Sequence, residues 1–196
     1  MDAFDQYRSL AAPAQGLFKD KGSRFLALAF PVETEEQVKE TVAALRKEHH
    51  DARHHGYAYR LGYKGDVFRS SDDGEPSGTA GQPILQSLKQ KELQNVVLAV
   101  VRYFGGIQLG VRGLIDTYRA AAELVLAETE RVKKQAMEEI PFSCPYSFYN
   151  TLLYKTEKLE GRVENAVFGE IVQGRAVVPR TAAPQIKAFL EEIKHS

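Results

Sequence analysis

The spacing of apolar residues in the first two thirds of the chain predicts strands that alternate with helices. Three strands are predicted from alternating or continuous apolar runs, at Ser23–Pro31, Arg53–Tyr63 and Asn95–Tyr103. Three helices are predicted from apolar positions three and four residues apart, the first after a capping Thr34 and the others at 79–91 and 110–129. A turn at 64–66 joins the second strand to a short strand through Phe68, which makes a hairpin.

The last third of the chain has the pattern of a separate small domain. The charged segment Glu128–Glu139 has almost no apolar stripe, so we place a boundary there and predict domains at 1–137 and 138–196. The pattern of the second domain predicts a strand at 139–144 and a helix at 146–159. It then predicts strands at 162–168 and 170–178 and a helix at 183–193. This order indicates an α+β sandwich of the split βαβ type. Because no fourth strand follows, either three strands suffice or a partner chain supplies the fourth.

Composition and charge narrow the classes of function. The chain has 196 residues, of which 43% are hydrophobic, as expected for a globular protein. Its 26 basic residues balance its 26 acidic ones, so binding to RNA or to an anionic membrane would need a local patch. No apolar run is long enough for a membrane span, and no signal-peptide pattern is present, so we expect a cytoplasmic protein. The single cysteine, Cys144, excludes internal disulfides and cysteine-rich zinc sites, and we expect it in the core.

Two glycine-rich loops carry the candidate chemistry. The first, 71–81, contains Asp72, Asp73, Glu75, Ser77, Gly78 and Thr79, and the second, 102–110, contains Arg102, Gly105 and Gly106. Each loop leads into a predicted helix. If Ser77 or Thr79 caps its helix, backbone N–H groups point out of the loop and favour an anion. Two such helix starts beside Arg102 predict a pocket for a phosphate or a carboxylate.

A purely structural interpretation of the same loops is equally open. Asp72, Asp73 or Glu75 can neutralise Arg102 and so hold one loop against the other. These three carboxylates also make a weak candidate for a divalent-cation site, although their spacing is not that of an EF-hand. Neither loop has a Walker A motif or a dinucleotide-binding fingerprint, and we expect no cofactor.

His54 is the candidate general base. If its strand is regular, His54 and Arg60 lie on one face of the sheet, where both can face the loops. Acid–base chemistry by His54 beside Arg60 and Arg102 is then conceivable. No serine, threonine or cysteine stands out as a nucleophile paired to it.

Three segments together resemble the IMPACT/YigZ family. They are Asp51-Ala-Arg-His-His-Gly-Tyr-Ala-Tyr-Arg60, Ser71-Asp-Asp-Gly-Glu-Pro-Ser-Gly-Thr-Ala-Gly81 and Val101-Arg-Tyr-Phe-Gly-Gly-Ile-Gln-Leu-Gly110. The resemblance implies an N-terminal two-layer domain like that of a small-subunit ribosomal protein. It also implies a ferredoxin-like C-terminal domain similar to the last domain of elongation factor G. Eukaryotic relatives are translational regulators that compete for the activator of a kinase.

Two positions depart from the pattern of that family. Gly56 stands where a cysteine is usual, so a thiol role is excluded there. Arg112 stands where a small residue is usual, and it adds positive charge at the start of a helix, beside the predicted anion site.

Three functions follow as hypotheses. The first is a non-enzymatic binding module in translation or RNA metabolism, with RNA, the ribosome or a translation-regulating protein as partner. The second is an enzyme that acts on a phosphorylated or carboxylated small molecule, with His54 or Asp73 transferring a proton. The third is a protein-interaction adaptor. We favour the first, so an enzymatic activity is not the leading expectation, and neither the ligand nor the oligomeric state follows from the sequence.

Overall fold

A computed structural model describes residues 5–194, and the chain divides into two compact units. The N-terminal unit is formed by residues 7–134 and the C-terminal unit by the remaining residues. The division therefore falls after Lys134 rather than after residue 137, and Asp5 and Gln6 belong with the C-terminal residues.

The N-terminal unit is built on a five-stranded antiparallel sheet. Its elements are β1 (Gln6–Leu10), β2 (Ala14–Asp20), β3 (Ser23–Pro31), α1 (Glu35–Glu48), β4 (His54–Leu61), β5 (Val67–Ser71), α2 (Gly81–Gln90), β6 (Val96–Tyr103), α3 (Gly110–Glu128) and β7 (Arg131–Gln135). The strand order in the sheet is β2-β3-β6-β4-β5, and β1 pairs separately with β7. The predicted strands and helices are all present, and the Thr34 hydroxyl caps α1 by accepting from the N–H of Gln37 at 3.2 Å.

Helices cover both faces of this sheet. On one face α2 and α3 pack on a core that includes Phe25, Leu98 and Tyr118. On the other face Val38 and Val42 of α1 pack against residues that include Val97. The unit therefore has three layers, which corrects the predicted two-layer arrangement. The reason lies in β6, whose apolar residues occupy both of its faces and so require cover on both sides.

The C-terminal unit is a three-stranded antiparallel sheet with two helices on one face. Its elements are β8 (Met137–Pro145), α4 (Tyr146–Lys158), β9 (Arg162–Val167), β10 (Ile171–Pro179) and α5 (Ala183–Lys194), and the strand order is β8-β10-β9. Cys144 lies in the core between the sheet and the helices, as predicted, and burial raises the pKa of its thiol.

Within the described residues of this unit, no fourth strand pairs with β8. Pro141 and Pro145 lie on β8 and have no N–H to donate. Prolines on an edge strand hinder the addition of another strand. The edge at β8 is therefore a poor place for a partner strand.

Candidate functional site

A pocket of about 490 Å³ lies between the two glycine-rich loops of the N-terminal unit. Its lining comes from the start of β4, the first loop, the end of β6, the second loop and the first turn of α3: Arg53, His54, Glu75, Pro76, Arg102, Phe104, Gln108, Leu109, Gly110, Val111 and Leu114. Antiparallel pairing of β4 with β6 places His54 directly opposite Arg102. The two loops that the sequence predicted to share a site therefore line one pocket.

Arg102 is paired with a carboxylate at the base of this pocket. Its Nη1 donates to Glu75 Oε1 at 2.7 Å, and the same oxygen accepts from the Tyr118 hydroxyl at 2.8 Å. The side chains of Arg102 and Glu75 are only 7% and 3% exposed. Burial, and then the Glu75 carboxylate, raise the pKa of Tyr118 far above its ordinary value, so its hydroxyl remains a proton donor.

Aromatic rings hold the Arg102 guanidinium on either side of this ion pair. The guanidinium carbon lies 5.4 Å from the ring centre of Phe25 and 5.5 Å from that of Phe104. Such distances allow favourable cation–π contacts. Phe25 is fully buried in the core, whereas Phe104 is 46% exposed at the rim of the pocket. Arg102 therefore connects the core to the solvent-facing rim.

Asp72 closes the first loop onto the start of α2. Its Oδ1 accepts from the N–H groups of Ala80 and Gly81 at 3.0 and 2.9 Å, and its Oδ2 accepts from Gly78 at 2.8 Å. Burial alone would raise the pKa of Asp72, but these three backbone donors hold it below its ordinary value. Asp72 thus occupies the helix start at which the sequence predicted a free anion site.

The other predicted groups of the first loop do not form an anion site either. Thr79 is buried, and its hydroxyl donates to the Pro76 carbonyl at 2.7 Å rather than capping α2. Ser77 is exposed, and α2 begins without a side-chain cap from its N-cap residue, Ala80. The predicted capping by Ser77 or Thr79 is therefore wrong, because a residue earlier in the loop reaches the helix start first.

Asp73 ties the first loop to α1 and β4. Its Oδ1 accepts from Arg46 Nη2 at 2.6 Å, and its Oδ2 accepts from the N–H of His55 at 2.7 Å. Its carbonyl lies 2.9 Å from Nδ1 of His54, and since a carbonyl only accepts, Nδ1 carries a proton. This contact leaves Nε2 as the ring nitrogen through which His54 can meet a ligand.

No group of metal-binding side chains occurs among residues 5–194. Asp72 binds backbone N–H groups, Asp73 binds Arg46 and His55, and Glu75 binds Arg102 and Tyr118. The three carboxylates therefore point to different partners, and the geometry does not support the weak cation-site hypothesis.

The second loop is shaped by close packing and by positive backbone angles. The N–H of Gly105 donates to the Ser23 hydroxyl at 3.1 Å, and a Cβ at Gly105 would lie 2.0 Å from the carbonyl carbon of Gly22. Gly106 has φ of +90°, a conformation that side chains rarely adopt. The glycines thus hold the loop on the turn between β2 and β3.

Of the twelve predicted site residues, His54, Glu75 and Arg102 line the pocket and the other nine do not. The two of these nine that lie outside the glycine-rich loops are Arg112 and Arg60. Arg112 is 96% exposed and reaches Asp116, 3.9 Å away on the next turn of α3. Arg60 lies on the same face of β4 as His54 but six residues along the strand, roughly 20 Å away at ~3.3 Å per residue. Its guanidinium donates to the carbonyls of Leu93 and Gly65, at 3.1 and 3.4 Å. The prediction that Arg60 shares a face of the sheet with His54 is correct, but the prediction that it lies near the loops is wrong.

Sequence reasoning missed two contributors to the site. Arg53, which is exposed, lines the pocket from the residue before β4. Tyr118 was assigned to the apolar stripe of α3, and it is fully buried there, yet its hydroxyl also holds Glu75. A tyrosine in an otherwise aliphatic stripe is the signal, because a buried hydroxyl needs a partner.

Gly56 also has a packing role beside the site. A Cβ at this position would lie 2.9 Å from the Ala80 Cβ and 3.4 Å from the Tyr118 ring. A side chain at this position would therefore press on Ala80 at the start of α2.

Comparison with known sequences agrees with this site. Residues 21–126 match the family described as the Impact N-terminal domain, and this range includes both loops and the whole pocket. The chain belongs to the IMPACT family. It is 32% identical to the IMPACT family member YigZ of Escherichia coli over 93% of this chain and 90% of that protein. Protein IMPACT of Oryctolagus cuniculus is 38% identical, over 46% of this chain and 30% of its own length.

A solved structure has the same fold over almost the whole chain. A crystal structure described as that of a hypothetical protein is 30% identical and superposes with a TM-score of 0.78, covering 96% of this chain and 92% of its own. This IMPACT family member has no helix among its described residues that could span a membrane.

Proposed function

We propose that this IMPACT family member is a cytoplasmic, non-enzymatic binding module related to translation, and that it binds RNA or the ribosome through the rim of its pocket. The observation that carries this proposal is an exposed aromatic ring in a pocket lined by arginines. Phe104 is 46% exposed, its ring centre lies 5.5 Å from the guanidinium carbon of Arg102, and the exposed Arg53 lines the same pocket. Arginines that contact phosphates beside a ring on which a base stacks are typical of single-strand binding.

A net charge of zero speaks against RNA binding by the chain as a whole, but the pocket has a local positive charge. Arg53 and Arg102 line the pocket with Glu75 as its one carboxylate, so the local balance is positive. The loop carboxylates Asp72 and Asp73 are engaged in structural contacts, which supports a binding role over a catalytic one. The ribosomal-protein-like and elongation-factor-like folds implied by the family resemblance belong to this same proposal.

Salt-dependent binding to ribosomes and to fluorescent single-stranded RNA tests the proposal. Replacing Arg53 by glutamine should weaken binding and lower its dependence on salt, since one phosphate contact is lost. Arg69→Gln is the matched control, because Arg69 pairs with Tyr59 on the opposite face of the sheet. Binding that is absent, independent of salt or equally weakened by both variants would contradict the proposal.

A protein-interaction adaptor is the second candidate, because exposed apolar side chains extend from the second loop and from the first turn of α3. Ile107 of the loop is 55% exposed and Val111 of the helix is 59% exposed. Exposed apolar residues of this kind suit a protein interface. Ile107→Ser should then abolish the capture of a translation-regulating partner and leave RNA binding unchanged. The reverse result would favour the RNA-binding function.

A further inference from the structure

The ion pair at the base of the pocket leaves two polar groups without partners. Glu75 uses Oε1 for both Arg102 and Tyr118, and Oε2 accepts no hydrogen bond from residues 5–194. Arg102 uses Nη1, and its buried Nε has no partner. Over the same residues, Nη2 of Arg102 makes no hydrogen bond either. The pocket therefore offers Nη2 of Arg102 as a donor and Oε2 of Glu75 as an acceptor, whereas the buried Nε is out of a ligand's reach.

These unpartnered atoms select the charge of a ligand. An arginine Nη2 that makes no other hydrogen bond is a charged donor for a carboxylate or a phosphate oxygen. Glu75 lines the same pocket, so a second negative charge without compensation would be repelled. A ligand that carries an anion and a cation close together satisfies both residues. The ammonium and carboxylate of an α-amino acid are attached to one carbon, which suits two oppositely charged side chains that are themselves in direct contact.

Apolar side chains form part of the remaining wall of the pocket, beside Arg53, His54 and Gln108. Leu109 and Leu114 are almost fully buried in this wall, and Phe104 lines the same pocket. A volume of about 490 Å³ is enough for a small ligand. We propose that this pocket binds a free α-amino acid with an apolar side chain, its carboxylate on Arg102, its ammonium on Glu75 and its side chain against Leu109 and Leu114.

This proposal goes beyond the proposed binding of RNA and does not depend on it. RNA binding uses Arg53 and Phe104 at the rim, whereas the amino acid uses Glu75 and Arg102 at the base. Failure of one experiment therefore leaves the other function untouched, and the two readouts are separate.

Calorimetric titration of the full chain with three matched ligands tests the proposal. L-leucine carries both charges, 4-methylpentanoate lacks the ammonium and 3-methylbutylamine lacks the carboxylate. We expect leucine to bind at least about tenfold more tightly than either analogue, because each analogue brings one uncompensated charge against an ion pair that is already neutral. Leucyl-leucine, whose charges are far apart, and inorganic phosphate should not compete. No leucine binding at millimolar concentration, or equal binding of 4-methylpentanoate or phosphate, would overturn the proposal.

Glu75→Gln gives a result that a merely structural role would not produce. With the charge removed, leucine should bind more weakly and 4-methylpentanoate more tightly, so the preference falls or inverts. Arg69→Gln, on the opposite face of the sheet, should leave both affinities unchanged. Thermal unfolding of each variant shows whether it is folded. If Glu75→Gln does not fold, the comparison of ligands on the unaltered chain still decides. An unchanged preference in a folded Glu75→Gln protein would contradict the role of Glu75.

Discussion

At the scale of single residues, Arg102 and Glu75 depend on each other. Replacing Arg102 by methionine leaves the buried Glu75 carboxylate with Tyr118 as its only donor. We expect this variant to lose about 3–5 kcal/mol of the free energy of unfolding. Adding Glu75→Gln should restore part of that loss, because the uncompensated charge disappears. Urea unfolding of the four forms measures the coupling, and losses that simply add would show that the two side chains act independently.

Asp72 predicts a pH-dependent contribution to stability. Its pKa is lower in the folded protein than the ordinary 3.8, so folding favours the carboxylate. The stabilisation is therefore complete above the ordinary pKa and is lost as the pH falls through the folded-state pKa. Asp72→Asn should cost about 1–3 kcal/mol at neutral pH, from the loss of bonds to backbone donors.

The same free-energy difference should shrink in acid, where Asp72 of the unaltered protein is protonated. Unfolding by urea between pH 7 and pH 2 follows it, and Asp116→Asn serves as the control because Asp116 is 59% exposed. A difference that stays constant down to pH 2 would show that the charge of Asp72 has no part in holding α2.

Sequence reasoning found the two loops and Arg102 but could not decide its partner among three acids. The choice depends on backbone angles that the residue types alone do not fix. Asp73 and Gly74 have φ of +48° and +84°, and the turn they form sends Asp73 outward to Arg46 and Glu75 inward to Arg102. Asp73 has a side chain in a conformation that favours glycine, and no spacing rule anticipates this.

At the scale of elements, strong apolar periodicity was sufficient to predict a helix or strand from the sequence, and weak periodicity was not. The apolar stripes of α1, α2 and α3 and the apolar run of β6 were all predicted from the sequence. Strand β2 was missed, since it lies at the edge of the sheet, contains Gly16 and buries no residue completely. A half-exposed edge strand carries little of the alternation on which such predictions depend.

Loop shape depends on the close contact between Gly105 and Gly22. Gly105→Ala would place a Cβ 2.0 Å from backbone of Gly22, so the loop must move. We expect a loss of about 1–3 kcal/mol in unfolding free energy, together with weaker ligand binding. Gly16→Ala is the matched control, because its Cβ would lie 3.6 Å from Leu124, an ordinary contact.

Thermal unfolding and leucine titration of the two glycine variants show whether the effect comes from the close contact at Gly105 or from replacing any glycine by alanine. Gly16→Ala should be neutral or slightly stabilising, since alanine loses less backbone entropy in a strand than glycine does. Equal behaviour of the two variants would mean that the contact of Gly105 with Gly22 does not hold the loop.

At the scale of the whole molecule, charge totals alone gave no guide to function. The 26 basic and 26 acidic residues cancel, yet two arginines and one glutamate line the pocket. The local electrostatic field depends on which side chains the fold brings together. At the pocket this is set by the register of β4 against β6, which places His54 opposite Arg102. The sequence contained the residues, and the sheet determined which of them meet.

The start of the chain contributes to the C-terminal unit. The Asp5 carboxylate accepts a hydrogen bond from the N–H of Thr181. The backbone carbonyl of Asp5 accepts another from the N–H of Ala136 at 2.6 Å. Asp5→Ala leaves the Thr181 donor unpaired, which should cost about 1–3 kcal/mol. Because the lost bond lies within that unit, hydrogen exchange should accelerate in β10 and not in β6. Asp116→Ala, at an exposed site of α3, should change neither, and equal acceleration in both strands would contradict a local role for Asp5.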